Sequence, residues 1–142
     1  MDHVVYLDYK AKELDNLKKG LKSMIIRGAM GRKFPYGKVE IGDRLFFIEN
    51  KGDGLIKAFA FVSNVFNSEQ LTKEESLKMI EINQNKLLLD NGLLKRFGGK
   101  RYLVLISIKD FCETENFKID RSSFGNMDDW LPVGDIESVK MK

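Results

Sequence analysis

Two long apolar runs constrain the fold more than any other feature of the chain. "LIKAFAFVSNVF" (residues 55–66) and "KRYLVLISIKDF" (residues 100–111) are rich in the β-branched and aromatic residues that strands favour. In the first run the small Ala58 and Ala60 alternate with phenylalanines, a pattern typical of a strand covered on both faces. The sequence therefore predicts two buried strands and excludes a helical bundle.

Helices are predicted on either side of these strands. Apolar residues at helical spacing precede Gly20, a residue suited to ending a helix. Thr72 followed by Glu75 is typical of a capping box and predicts a second helical region, which Gly98-Gly99 ends. Asn91-Gly92 is a candidate break within it.

The remaining predicted strands are residues 3–9, residues 44–50 and two weak candidates, 117–119 and 135–141. This order of elements predicts an α+β fold with a small barrel-like or strongly curved mixed sheet flanked by helices. A length of 142 residues suits a single domain, so we expect residues 1–142 to form one.

Positive charge is concentrated early in the chain, although the net charge is only +3. The basic segment, residues 18–38, contains no acidic residue, and its cations are Lys18, Lys19, Lys22, Arg27, Arg32, Lys33 and Lys38. Acidic residues predominate after residue 110. We expect an anionic partner to meet the basic segment, with ordinary solvated surface as the alternative.

Several classes of function are excluded by residue type. His3 is the sole histidine and Cys112 the sole cysteine, so we expect no multi-histidine metal site and no internal disulfide. "GRKFPYGKV" departs from the phosphate-loop spacing. We predict no metal and no cofactor.

The polar start and the absence of a long apolar run indicate a cytoplasmic protein without a membrane partner.

"GLKSMIIR" resembles the G-x-K-x-x-E-x-R motif of the ASCH domains, a branch of the PUA-like superfamily. Gly20, Lys22 and Arg27 match the motif, and Ile25 stands at the glutamate position. As in that family, a Gly-Asp turn at residues 42–43 leads into an apolar strand, and the resemblance covers residues 3–111. It implies a compact β-barrel beside which RNA, a nucleotide or a modified nucleoside is bound.

The resemblance also implies an alternative, a small amidohydrolase that deacylates a modified nucleoside. In such ASCH-like proteins the motif lysine is catalytic, and Lys22 matches it. Ile25 does not supply the threonine of that site, and the strand 56–66 contains no acid, the nearest being Glu69. No complete catalytic set is predicted, and the sequence leaves open whether the chain is an enzyme.

The predicted ligand-binding residues are Lys22, Arg27, Arg32, Lys33, Phe34 and Tyr36. We expect Lys22 and Arg27 inside a cleft, with Arg32 and Lys33 at its rim. The two aromatics either stack on bases or pack as core beneath the loop. A protein–protein adaptor whose basic segment meets an acidic partner is a third hypothesis, and the oligomeric state stays open.

Overall fold

One mixed six-stranded sheet organises the molecule, with strand order β2-β5-β4-β3-β1-β6. The computed structural model of the chain describes residues 1–141, so Lys142 lies outside the described part. In chain order the elements are β1 Asp2–Leu7, α1 Glu13–Lys18, β2 Met24–Ala29, β3 Arg44–Glu49, β4 Ile56–Asn67, α2 Lys73–Leu87, α3 Asn91–Phe97, β5 Tyr102–Phe117, β6 Trp130–Gly134 and a short 3-10 helix, Ile136–Ser138.

The sheet curls into a half-barrel, which confirms the predicted α+β, PUA-like fold. β1 and β3 pair in parallel, and the other neighbouring strands pair antiparallel. β4 and β5 lie in the interior of the sheet, as predicted, and pair from Ile56↔Phe117 to Asn67↔Val104. Three register shifts interrupt that pairing. Irregularities of this kind increase local twist, which favours the curl.

Apolar clusters cover both faces of the sheet. The concave interior is filled by residues that include Val5, Leu7, Ile25, Leu45, Phe47, Ala60, Val62, Val104 and Ile106. On the opposite face, α2 and α3 pack on β2 and β5 through Ile80, Leu87, Leu93, Phe97, Met24, Ile26, Leu103 and Leu105. Covering both faces explains why the first half of β5, residues 102–108, is almost continuously apolar.

Three local predictions differ from the structure. β2 lies inside the basic segment, where we predicted no strand, because "MII" pairs with β5 along an otherwise charged stretch. The helical region is interrupted at Leu88, whose φ is 48°, and Asp90 then caps α3, so that Asn91-Gly92 begins a helix. The weak candidate 135–141 contains the 3-10 helix, and the last strand is β6 instead.

Two local predictions are confirmed. Thr72 and Glu75 form the reciprocal capping box at the start of α2. Gly20 has a φ of +74° just after α1.

No helix of residues 1–141 is long and apolar enough to span a membrane.

Candidate ligand-binding cleft

Arg27 lies where the two edges of the half-barrel approach each other. It belongs to edge strand β2, and its Nη2 donates to the carbonyl of Tyr6 in β1 at 2.7 Å. Its Nη1 donates to the carbonyl of Ile26 at 2.8 Å. The guanidinium lies 5.4 Å from the centroid of Trp130, the first residue of the opposite edge strand β6, and 5.9 Å from that of Phe97. The side chain therefore bridges the open side of the sheet.

The remaining nitrogen of Arg27, Nε, is buried without a hydrogen-bond partner. The nearest carboxylate oxygen is Oδ2 of Asp129, at 3.5 Å. The same oxygen accepts from Nη2 of Arg96 at 2.6 Å. Burial lowers the pKa of the Arg27 guanidinium, and the charges of Asp129 and Glu13 oppose that shift. Arginine stays charged in proteins, so Arg27 is a desolvated cation whose Nε–H has no hydrogen-bond partner.

A cleft of about 240 Å³ opens beside Arg27. It is lined by Arg27, Gly28, Ala29, Gly31, Lys33, Phe34, Pro35, Tyr36, Arg96, Phe97, Lys100, Tyr102, Val104, Met127 and Asp129. Four of these side chains are cationic and four are aromatic. Sites for drug-sized ligands usually measure roughly 300–1,000 Å³, so this cleft suits a small group such as one base or one phosphate.

The aromatic residues of the basic segment differ in their freedom. Tyr36 is half-buried, donates its hydroxyl to the Ser68 carbonyl and packs edge-on against Tyr102 at 5.7 Å. Arg32 lies over both tyrosine rings, 5.7 Å from Tyr36 and 5.5 Å from Tyr102. Phe34 also lines the cleft and keeps 38% of its surface exposed. Phe34 is therefore the more available ring for stacking, and Tyr36 supports the wall.

Lys22 lies away from the cleft lining. It is 2% exposed, its Nζ donates to the Leu87 carbonyl, and it lies 3.4 Å from the Glu13 carboxylate. Burial lowers the pKa of its amine, and Glu13 acts in the opposite direction. Lys22 precedes β2, and the charge of Arg27 also lowers the pKa of its amine, so the two cations lie within electrostatic reach of each other. Of the two motif cations that we expected in one cleft, Arg27 belongs to the lining and Lys22 does not.

His3 and Asp43 hold Trp130 in place beneath Arg27. The indole Nε1 of Trp130 donates to Nδ1 of buried His3 at 3.0 Å, and Nε2 of His3 lies 2.8 Å from Oδ2 of Asp43. Because Nδ1 accepts, the ring carries its proton on Nε2 and donates it to Asp43. This is a structural role for the sole histidine. No group of three or more His, Cys, Asp or Glu side chains within residues 1–141 is arranged to hold a metal ion.

Arg96, Phe97, Lys100 and Asp129 complete the cleft and were not predicted from the sequence. Arg96 and Phe97 reach the cleft because they end α3, which packs against β2. Lys100 reaches it from the connection between α3 and β5. Asp129 precedes β6 and comes from the acidic stretch that we expected to lie apart from the basic segment. The sequence feature that could have indicated them is "KRF" at the end of the predicted helical region. Basic residues there are typical of any solvated helix terminus, so this feature alone did not indicate a binding site.

Solved structures of ASCH proteins share this fold. The ASCH protein from Zymomonas mobilis superposes with a TM-score of 0.65 at 13% sequence identity, covering 91% of this chain and 85% of that chain. A single-substitution variant of the same protein gives a TM-score of 0.66 at 12% identity, covering 91% and 87%. No family profile and no curated protein matches the sequence of this chain.

These likenesses establish the class of fold. The chain shares the half-barrel fold of the ASCH structures, which is the fold that the motif resemblance implied. At 12–13% identity the likeness concerns the fold. A shared fold hosts many activities, so the function has to be argued from the cleft itself.

Proposed function

We propose that this protein binds RNA or a modified nucleotide in the cleft beside Arg27. One observation carries the proposal: a buried guanidinium with an unpartnered Nε lies at the wall of a small cleft lined by cations and aromatic rings. Buried donors are nearly always hydrogen-bonded, so an unpartnered one at a cleft indicates a ligand acceptor. The ASCH-like fold supports the same class of ligand.

The cations of the cleft divide into an inner pair and an outer pair. Arg27 and Arg96 converge on one point, where the Asp129 carboxylate now lies. Lys33 and Lys100 carry flexible ammonium groups on the lining, and Lys33 is exposed. Arginine recognises oxyanions directionally, whereas lysine acts as a point charge. We infer that the lysines attract the nucleic-acid backbone and that the arginines fix one group within the cleft.

The terminal nitrogens of Arg27 already take part in the hydrogen bonds of the fold. Nη1 and Nη2 already donate to the carbonyls of Ile26 and Tyr6. Nε is the nitrogen without a partner. Arg27 therefore offers a ligand its Nε–H and a fixed charge, and Phe34 supplies a partly exposed ring on which a base can stack.

The test compares lining and non-lining lysines. Affinity for a fluorescent single-stranded RNA is measured by anisotropy at two salt concentrations for Lys33→Ala, Lys100→Ala and Lys118→Ala. Lys118 is exposed and lies outside the cleft lining, so it is the matched control. Each lining substitution should weaken binding and reduce the salt slope by about 1, because each removes one phosphate contact.

Two results would count against the proposal. One is a wild-type protein that binds no RNA at low salt, which would favour the adaptor hypothesis. The other is an equal loss for Lys118→Ala and the lining variants, which would indicate attraction by net charge alone.

A further inference from the structure

Asp129 is the exception in the charge pattern of the cleft. Among the described residues that line it, this is the single acid beside four cations. Its side chain remains 35% exposed, although it lies between two arginines. An acid in this position weakens the attraction of the cleft for anions, so its presence there calls for a specific role.

The Asp129 carboxylate fits its two arginine neighbours unequally. Oδ2 accepts a short hydrogen bond of 2.6 Å from Arg96, but it lies 3.5 Å from Nε of Arg27 and makes no hydrogen bond with it. A charge-assisted bond of this kind has a length of about 2.7–2.9 Å. The internal anion therefore leaves the buried donor of Arg27 without a partner.

We propose that the Asp129 carboxylate occupies the anion subsite of the cleft in the free protein, and that a phosphate group of the ligand displaces it. The phosphate would accept from both Nε of Arg27 and Nη2 of Arg96. The identity of the ligand rests on the proposed function. A phosphate has more acceptor oxygens than a carboxylate and a tetrahedral spread, so it can reach donors that one planar carboxylate does not satisfy together.

The backbone permits this exchange without refolding the segment. The carbonyl of Asp129 accepts from the amide of Tyr6 at 2.9 Å, which ties the main chain to β1. The side chain is held by the half-exposed Arg96. The pair with Arg96 is screened by solvent, and an incoming phosphate replaces the negative charge of Asp129 beside the buried Arg27, so that cation keeps an anionic partner throughout the exchange.

The experiment uses Asp129→Asn, which keeps the shape of the side chain and removes its charge. Asp128→Asn is the matched control, since it removes the same charge from the adjacent residue, which is exposed and outside the lining. Inorganic phosphate and uridine 5′-monophosphate are titrated into each full-length protein by calorimetry at low salt. Asp129→Asn should bind both probes about fivefold more tightly than the wild type, as loss of one competing ion pair predicts.

Further variants separate displacement from a general change of charge. Asp128→Asn should change phosphate affinity by less than about twofold, because it reports only the through-space effect. Asp129→Ser, which also removes the carboxylate, should repeat the gain. Arg96→Gln in the Asp129→Asn background should abolish it, whereas Lys95→Gln, a change on the same helix outside the lining, should not.

The outcomes distinguish this inference from the proposed function. Equal gains for Asp128→Asn and Asp129→Asn would overturn displacement, and a loss for Asp129→Asn and Asp129→Ser would show that Asp129 contacts the ligand as an acceptor. If the wild type binds RNA and neither Asp129 variant gains phosphate affinity, the inference fails and the function stands. If no variant binds RNA but the Asp129 variants gain phosphate, the function fails and the anion subsite stands.

Discussion

Arg27 and Lys22 show how two cations of one motif acquire different roles. Both side chains are buried. Arg27 donates to the Tyr6 carbonyl across the open side of the sheet and lines the cleft, whereas Lys22 pairs with Glu13 and donates to the Leu87 carbonyl. Burying a charge is costly unless it is paired and hydrogen-bonded. Each cation has hydrogen-bond or ion-pair partners that the fold supplies, and Nε is the nitrogen of Arg27 left without one.

Replacing Arg27 by lysine should destabilise the protein. One ammonium cannot reach both the Ile26 and the Tyr6 carbonyls, so buried acceptors lose their donors at a cost of about 1–3 kcal/mol. Urea unfolding followed by circular dichroism measures the change. Arg101→Lys is the control, because Arg101 is exposed, and it should alter the free energy of unfolding by less than about 0.5 kcal/mol. Equal stability of Arg27→Lys and the wild type would contradict the bridging role.

Asp43 makes stability depend on pH on the acid side. Burial raises the pKa of its carboxyl, but the hydrogen bonds from the Glu40 amide and His3 outweigh this and hold it below the ordinary value. A lowered folded-state pKa stabilises the protein above the unfolded-state pKa, and that stabilisation disappears as the pH falls through the folded-state value. Unfolding free energies between pH 7 and pH 2 should therefore fall less steeply for Asp43→Asn than for the wild type. Parallel curves would exclude this contribution.

At the level of elements, β2 is the piece that creates the cleft. It pairs with β5 along its whole length, from Met24↔Ser107 to Ala29↔Tyr102, and its residues Arg27, Gly28 and Ala29 line the cavity. α3 approaches from the other side and contributes Arg96 and Phe97. The site is thus built on a strand edge and a helix end, which are rigid supports for a binding group.

Gly28 permits the close approach of β2 and β5. A Cβ at this position would lie 2.8 Å from Cδ2 of the buried Leu103 and 3.3 Å from the Tyr102 carbonyl. Gly28→Ala should cost about 1–3 kcal/mol of unfolding free energy through overpacking. Gly31→Ala, where nothing lies within 4 Å of the added Cβ, should stay within about 0.5 kcal/mol of the wild type. Thermal unfolding of both variants measures the two losses of stability. Equal losses would show that β2 can shift to make room for a Cβ at residue 28.

For the molecule as a whole, the arrangement favours binding over hydrolysis. The matched lysine of the amidohydrolase alternative, Lys22, does have an acid beside it, since Glu13 lies 3.4 Å away. However, its amine is buried against the end of α2, outside the cleft that holds the other predicted residues. A general base or nucleophile must come within hydrogen-bond reach of its substrate.

We therefore predict no efficient hydrolysis of acetylated cytidine. Incubation of the protein with N4-acetylcytidine, with chromatographic detection of cytidine, tests this directly. The product should form no faster with the wild type than with Lys22→Met, a variant of similar side-chain length without the amine. Robust turnover that disappears in Lys22→Met, while RNA affinity persists, would reinstate the amidohydrolase hypothesis.

The sequence by itself determined the features that depend on neighbouring residues. The capping box at Thr72, the left-handed Gly20 and the two long strands β4 and β5 all follow from local chemistry or from a short periodic pattern. The ASCH-like fold could also be predicted from the sequence, because the motif and the order of elements are both visible along the chain. β2 was missed because its short apolar run lies among cations and becomes a strand only by pairing with β5.

Only the tertiary structure decided which charges meet. Arg96 and Asp129 are separated by 33 positions, and Lys22 finds its carbonyl partner 65 positions away. Such pairs depend on how the sheet curls and where α3 lies, which no local pattern specifies. The sequence shows which cations the basic segment contains, but only the fold decided that Arg27 lines the cleft and that Lys22 is buried beside Glu13 and the Leu87 carbonyl. Both charges are desolvated, and a desolvated charge is stable only where the fold supplies hydrogen-bond acceptors or an opposite charge.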